Sequence, residues 1–344
     1  MGNLRPLFIG ICVAFVLFLV PVVACLVLEG AAPMLARGKS FTGFRLSMFS
    51  LTRLAPKHPS KQPSTQASQV ITYSSLVVVS VCNNTQGVRL QMAEAVKYLD
   101  VNSMLMMVIQ KCVGSVDVAH LEGLGIHSQN IQLIHLTNVG RNDHSYAWAL
   151  RHLGEGLTAH LSANASVFLL KDNTILHQPQ TRKCKFSEVL ADLRSHGFGC
   201  FLKMQKPATD FHLVAELGKF HIAQYKGVGH DFPAAADQRP LNKWWDSLGI
   251  TFGNRNGSSD DSASVIQVCY GGNFAVRRDN IRAVNYSLWP LLVASLARND
   301  SIEEGHYAER TWAGLLAQST PPVRLTVCHP AYKYYIGRMC SKKS

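Results

Sequence analysis

The chain reads as an α/β protein with a Rossmann-like, largely parallel sheet covered by helices on both faces, preceded by one transmembrane helix. Three observations predict this. From residue 76 onward, short β-branched apolar runs alternate with helical stretches, the pattern of βαβ units and buried parallel strands. The stretch 70–344 is long enough for one large globular domain with a substantial core. Residues 7–28 form an uncharged apolar run of 22 residues, and a bilayer needs about 20.

Residues 1–6 are a short N-terminal tail. Leu7 to Leu28 reads as an uncleaved signal anchor, because a cleaved signal peptide has a shorter apolar core of about 7–15 residues. Pro21 lies inside the run, where membrane helices tolerate it. A cleaved signal peptide is the other reading, and Val22-Val23-Ala24-Cys25 also resembles a lipoprotein cleavage box. Arg5 precedes the run while Arg37, Lys39 and Arg45 follow it, which taken alone favours a cytoplasmic C-terminal side. Two observations oppose that. Five Asn-x-Ser/Thr sequons, at Asn83, Asn164, Asn256, Asn285 and Asn299, need the secretory lumen to be used. Seven of the nine cysteines lie outside the run and can form disulfides there. The expectation is a single-pass type II membrane protein facing the lumen of the Golgi or endoplasmic reticulum.

Residues 29–69 are expected to form a stalk. Ala55 to Gln69 has three prolines, no acid and no large apolar residue, too little apolar surface to order itself. Beyond it, Leu76–Val81 reads as a buried strand, Arg89–Leu99 as a helix, Met104–Ile109 and Ile131–Leu136 as the next strands, and Ser166–Leu170 as the fourth. Asp143 is expected to cap a helix running to Leu153. Ligands of such sheets gather at the C-terminal ends of strands, so the residues after each strand are the candidates. The net charge of +12 suits anionic substrates such as nucleotide diphosphates or an anionic membrane surface. No Lys/Arg block with interleaved aromatics points to nucleic acid.

Asp172 follows the fourth strand, where a carboxylate can hold Mn2+ or Mg2+ against a diphosphate with Asn173 and water; a turn cap is its plainer role. His177 has the look of a loop histidine. Asn138, Gly140 and Arg141 leave the third strand and enter the next helix, a place for anion binding, with His144 in the turn beyond; Tyr146 and Trp148 read equally well as core. Gly271 and Gly272, followed by Asn273, allow a ligand or another backbone to approach closely. Glu304, His306, Glu309 and Arg310 fall within two turns of one helix. A general base beside the glycines is one account of them. Helix-dipole stabilisation by Glu303 and Glu304, and an ion pair of Glu309 with Arg310, is the other. The sequence contains no Gly-x-Ser-x-Gly elbow, His-Glu-x-x-His, Cys-x-x-Cys or P-loop, which argues against serine-hydrolase, zinc and P-loop chemistry.

Asn138-Val139-Gly140-Arg141, His144-Ser145-Tyr146 and Val167-Phe168-Leu169, with Gly271 to Arg278 and Gly305-His306 before Glu309-Arg310-x-Trp312, resemble the signatures of the domain of unknown function 3431 family. The resemblance spans roughly Leu76 to Leu316. It departs from the family at Asn142-Asp143 and at Lys171-Asp172-Asn173. That family brings no settled activity. A strand-end acid, a Gly-Gly strand and a Glu-rich helix start are also similar to the layout of glycosyltransferases of the A-type nucleotide-sugar fold, as is the anchor, stalk and basic domain. This second resemblance implies a metal at Asp172 and a base at Glu304 or Glu309. It implies substrate contacts at Asn138, Gly140, Arg141, His144, Gly271, Gly272 and Asn273, and His306 and Arg310 beside the leaving diphosphate. A nucleotide-sugar donor and a glycan or protein acceptor would be its partners. The alternative is a non-catalytic glycan-binding or structural lumenal protein on the same fold.

Overall fold

In the computed structural model the described residues are 72–82, 84–112, 116–172, 181–204, 210–222, 234–252 and 265–317. The expected anchor at 7–28 and stalk at 29–69 lie outside them, as do Asn173 and His177. Among the described residues no helix is long and apolar enough to cross a membrane.

β1 (Tyr73–Val81) opens the sheet, and from Leu76 onward it is wholly buried, as a β-branched run covered on both faces must be. α1 (Thr85–Ala95) starts at Thr85 rather than Arg89 because Asn84 caps it, its Oδ1 accepting from Gly87 N at 2.8 Å. β2 (Met104–Gln110) is buried throughout. α2 (Val118–Glu122) leads into β3 (Ile131–His135), an edge strand, and α3 (Arg141–Glu155) leads into β4 (Leu161–Lys171). Then follow β5 (Thr181–Lys183), α4 (Phe186–His196), β6 (Phe198–Cys200), β7 (Leu202–Met204), β8 (Phe211–Leu213), α5 (Val214–Leu217), α6 (Leu241–Ser247) and β9 (Val265–Gln267). β10 (Phe274–Arg277), α7 (Arg278–Ala283), α8 (Leu288–Leu296) and α9 (Glu303–Leu316) complete the described chain.

The main sheet has the order β3-β2-β1-β4-β10-β6. β3, β2, β1 and β4 are parallel, and β10 runs antiparallel to both β4 and β6. The expected mixed α/β fold with a mostly parallel sheet is therefore present. Strand order reverses between β1 and β4, and a crevice opens at the C-terminal ends of strands where that happens.

Alternate side chains of the strands feed two cores. Leu76, Val78 and Leu169 face the one packed by α3, α6, α8 and α9, which buries Trp244, Trp245, Trp289 and Trp312. Val77, Val79 and Leu170 face the other, packed by α1 and α4. Tyr146 is core, edge-on to Phe274. Two disulfides, Cys82–Cys112 and Cys200–Cys269, join neighbouring parts of the sheet.

Asp143 does not cap α3. Gly140 takes that position in a left-handed conformation (φ 59°), and Asp143 lies buried in the first turn, accepting from Trp312 Nε1 at 2.7 Å. The indole of α9 claims the carboxylate that would otherwise have capped the helix.

Candidate functional site

The turn between β3 and α3 is shaped by two successive left-handed residues. Gly140 has no alternative, because a Cβ there would lie 2.1 Å from Leu296 O. Arg141 follows at φ 50°, a conformation that costs a non-glycine residue about 1–2 kcal/mol. Lys111, the residue after β2, steadies the turn by donating from Nζ to the carbonyl oxygens of Val139 and Arg141. Strain held in place by a buried cation directs the Arg141 side chain away from its own helix, and Nη1 donates to His306 Nε2 at 3.3 Å. A guanidinium only donates, so His306 accepts with its Nε2 lone pair.

Three more elements meet there. Glu309 lies one turn beyond His306 on α9, and its Oε1 accepts from Gly271 N at 2.7 Å. Lys171, the last residue of β4, is gripped through its backbone: Asn273 Oδ1 accepts from its N at 2.8 Å and Gln91 Nε2 donates to its O at 2.6 Å. Gly305 lies against Arg141 and Asp143, where a Cβ would stand 3.8 Å from Arg141 Cδ and from Asp143 Oδ2. The ends of β2, β3 and β4, the Tyr270–Gly272 turn and the second turn of α9 thus converge on one polar cluster.

Its electrostatics follow from burial and crowding. Burial pushes the Asp143 carboxyl up to about 6, and the charge of Glu309 pushes in the same direction. Burial and then the Arg141 cation bring His306 down to about 4. Burial and then Lys111 do the same to His144, which is buried with no partner at Nδ1. Burial lowers Lys171, opposed by Glu309, and takes Lys111 to about 8. At neutral pH both histidines are uncharged, and Lys111, near 8, stays largely protonated.

The candidates sort by what they touch. Arg141, His306, Glu309 and the Gly271–Asn273 turn are brought together. Arg310 borders them, donating to His306 O at 3.0 Å and lying 3.9 Å over the Phe220 ring. The expected Glu309–Arg310 ion pair does not form, since consecutive helical residues point apart. Asn138 sits half-buried in the turn before α3. The two glycines are explained by protein neighbours: both are left-handed, and a Cβ on Gly272 would come within 2.7 Å of Asn142 Nδ2.

Glu304 points elsewhere. It is 2% exposed, and its Oε1 accepts from Arg298 Nη2 at 2.6 Å and from Asp237 N at 3.4 Å. Asp172 is also engaged. Its Oδ2 accepts from Cys82 N at 2.8 Å and Asn84 N at 3.0 Å, tying the end of β4 to the loop that leaves β1. A Mn2+ or Mg2+ ion held against a diphosphate takes one or two protein carboxylates, with water and phosphate oxygens completing its shell. Asp172 fits that task poorly, with one oxygen spent on two amides; its expected partner Asn173 lies outside the described residues, and no group of three His, Cys, Asp or Glu side chains is gathered for a metal among them.

Lys111, Lys171 and Asp143 complete the cluster and are not among the sequence candidates. The signal that finds the lysines is positional: each directly follows or ends a parallel strand. Nothing local marks Asp143, whose partner Trp312 is 169 residues away.

No family model matches the chain, so the resemblance to the domain of unknown function 3431 family finds no support there, and no curated protein matches it. Among solved structures, the galactosyltransferase LgtC in complex with donor and acceptor sugar analogs is 12% identical, with 70% of each chain covered and a TM-score of 0.30. The bifunctional glycosyltransferase WbbM is 11% identical over 75% of this chain and 39% of that one, with a TM-score of 0.31. S. aureus TarS, residues 1–349, is 12% identical over 74% and 75%, with a TM-score of 0.25. Scores this low leave the functional reading to the cluster itself.

Proposed function

We propose that this chain is a glycosyltransferase that moves a sugar from a nucleotide diphosphate donor to a hydroxyl acceptor in the secretory pathway. The observation that carries the proposal is the convergence of Arg141, Lys171, His306 and Glu309 at the C-terminal edge of the parallel strands. Fixed cations there suit a diphosphate, and a half-buried carboxylate beside them suits a base.

The bond between the sugar carbon and the diphosphate oxygen breaks, and its electron pair leaves with the diphosphate beside Arg141, Lys171 and Arg310. A bond forms from the sugar carbon to the acceptor oxygen, whose proton passes to Glu309. His306 positions Arg141 through the Nε2 contact. Asn273 positions Lys171 through its backbone. Asn138, Gly140 and His144 shape the turn that presents Arg141. Glu304 has no part in the chemistry, because Arg298 and Asp237 N engage it. No step here runs through a metal.

The lumenal, type II placement is part of the same proposal. Two disulfides support an oxidising compartment, and the described sequon residues Asn164, Asn285 and Asn299 are all exposed. Expressed in a eukaryotic cell, the protein should shift in mobility after endoglycosidase treatment. A C-terminal tag that is open to protease from the cytosol would contradict this placement.

A second reading, a glycan-binding protein without catalysis, is favoured by one observation: Asp172 and Glu309 both spend an oxygen on backbone N–H groups. Titrating the full chain with a panel of nucleotide sugars, with and without manganese, and following diphosphate release with acceptor glycans separates the two. The transferase reading expects donor binding and release. Glycan binding with neither donor affinity nor release would establish the second reading instead.

A further inference from the structure

On the other face of the same strand end, away from Lys171 and Glu309, lies a cavity of about 480 Å³, within the range of about 300–1,000 Å³ typical of small-molecule sites. Leu170 from β4, Phe186 from α4 and Phe201 after β6 give it apolar walls. Asn273 is a floor residue of unusual character. It is 1% exposed, its Oδ1 is used by Lys171 N, and its Nδ2 has no partner. A buried donor left unpaired costs about 1–3 kcal/mol, so a structure that keeps one beside a cavity is arranged for an acceptor that arrives from outside.

The mouth has a charge preference. Lys183 and Lys185 line it, both exposed and neither in an ion pair among the described residues. The carboxylate on that rim, Glu94, is paired with Lys97 at 2.7 Å. Apolar walls, an orphaned amide donor and a cationic rim together select a ligand of one kind.

We propose that this cavity binds a small molecule with a flat apolar body and an anionic group, the body packing against the wall that Leu170 and the touching rings of Phe186 and Phe201 form, and an acceptor atom meeting Asn273. The cavity shares Asn273 with the polar cluster, through its other amide atom, and the proposal does not rest on the transferase reading.

Naphthalene sulfonate and its neutral counterpart, naphthalene sulfonamide, test it. The full chain in mild detergent is titrated calorimetrically with each, and the heats of titration into protein-free micelles are subtracted. Three proteins are compared: the wild type, Lys183→Glu/Lys185→Glu and Leu90→Trp. All three substituted residues are exposed, so the fold is retained, and circular dichroism verifies it. The expected result is a single saturable site for both probes. Charge reversal weakens the sulfonate about tenfold and leaves the sulfonamide within about twofold, the scale of two surface charges. Leu90→Trp, which fills the mouth, weakens both by a similar factor. No saturable binding would overturn the proposal. So would binding that Leu90→Trp leaves intact, or a charge reversal that acts equally on both probes.

Discussion

Two successive turns of α9 carry acids that look alike in the sequence and sit in opposite surroundings. In the first turn Glu303 and Glu304 are 1% and 2% exposed. Glu303 accepts from Ile222 N and Ala236 N and pairs with Arg239 at 2.7 Å. Glu304 pairs with Arg298 at 2.6 Å. Every contact pulls chain segments together, and little room is left for a substrate. In the second turn His306, Glu309 and Arg310 are half-buried, and their partners are Arg141, a glycine amide and an aromatic ring. An acid is available for chemistry where its partners leave it half exposed beside fixed cations. It is structural where it is buried and N–H groups and arginines from other segments engage it.

The largest effect that sharpens this contrast is expected from Glu303→Ala. It orphans the buried amide of Ala236, the half-buried amide of Ile222 and the Arg239 guanidinium, a loss of about 3 kcal/mol. For a domain of this size the melting temperature should fall by roughly 6–12 °C, with turnover per folded molecule unchanged. A variant that melts like the wild type but loses turnover would break the contrast.

Asp143 comes next. Its folded value near 6 lies above its unfolded value, so the folded state binds the proton more tightly. That contribution, about 2–3 kcal/mol, is fully present below about pH 4 and is lost as pH rises through 6. Asp143→Asn removes the titration while keeping an acceptor for Trp312 Nε1. Melting temperatures of the two proteins from pH 4 to pH 7 should therefore diverge, with the variant relatively more stable at the upper end. Parallel curves would show that Asp143 does not titrate in this window.

Arg141→Gly is expected to separate stability from function. Removing the side chain relieves the left-handed strain at φ 50°, a gain of about 1 kcal/mol. It also removes a cation from the cluster, which should weaken donor binding about tenfold. Thermal melts and donor titrations should move in opposite directions, and a protein that loses both would assign Arg141 to the scaffold.

The smallest effect belongs to Asp172→Asn. The amide oxygen can still accept from Cys82 N and Asn84 N, so stability should fall by about 1 kcal/mol. The fall should be the same with and without manganese. A manganese-dependent difference in donor affinity would restore the metal role that this geometry argues against.

The parallel sheet was legible because the runs 76–81, 104–109, 131–136 and 166–170 carry their burial in composition, and each falls on a strand of the main sheet. Helix boundaries were less so. The start of α1 was marked by Asn84, a local cap that a search for apolar period alone passes over. The convergence of the Arg141 turn with α9 could be anticipated from the rule that ligands gather at strand ends. Which acid was free could not, because the partners of Glu303 and Asp172, and the Asp237 N–H that Glu304 accepts from, lie 64 or more residues away. Those partners include main-chain N–H groups, which carry no residue signature. Asp143 shows the same limit: its residue type predicted a cap, and a distant indole took it.

Glu309 tests the account most directly. Glu309→Gln keeps an acceptor for Gly271 N and removes the base. Diphosphate release and the melting temperature should be measured on the same preparation as the wild type. The account predicts that release falls by about 10²–10⁴-fold, while donor affinity and melting temperature stay close to those of the wild type. A melting temperature that drops as far as that of Glu303→Ala, with release per folded molecule unchanged, would contradict it.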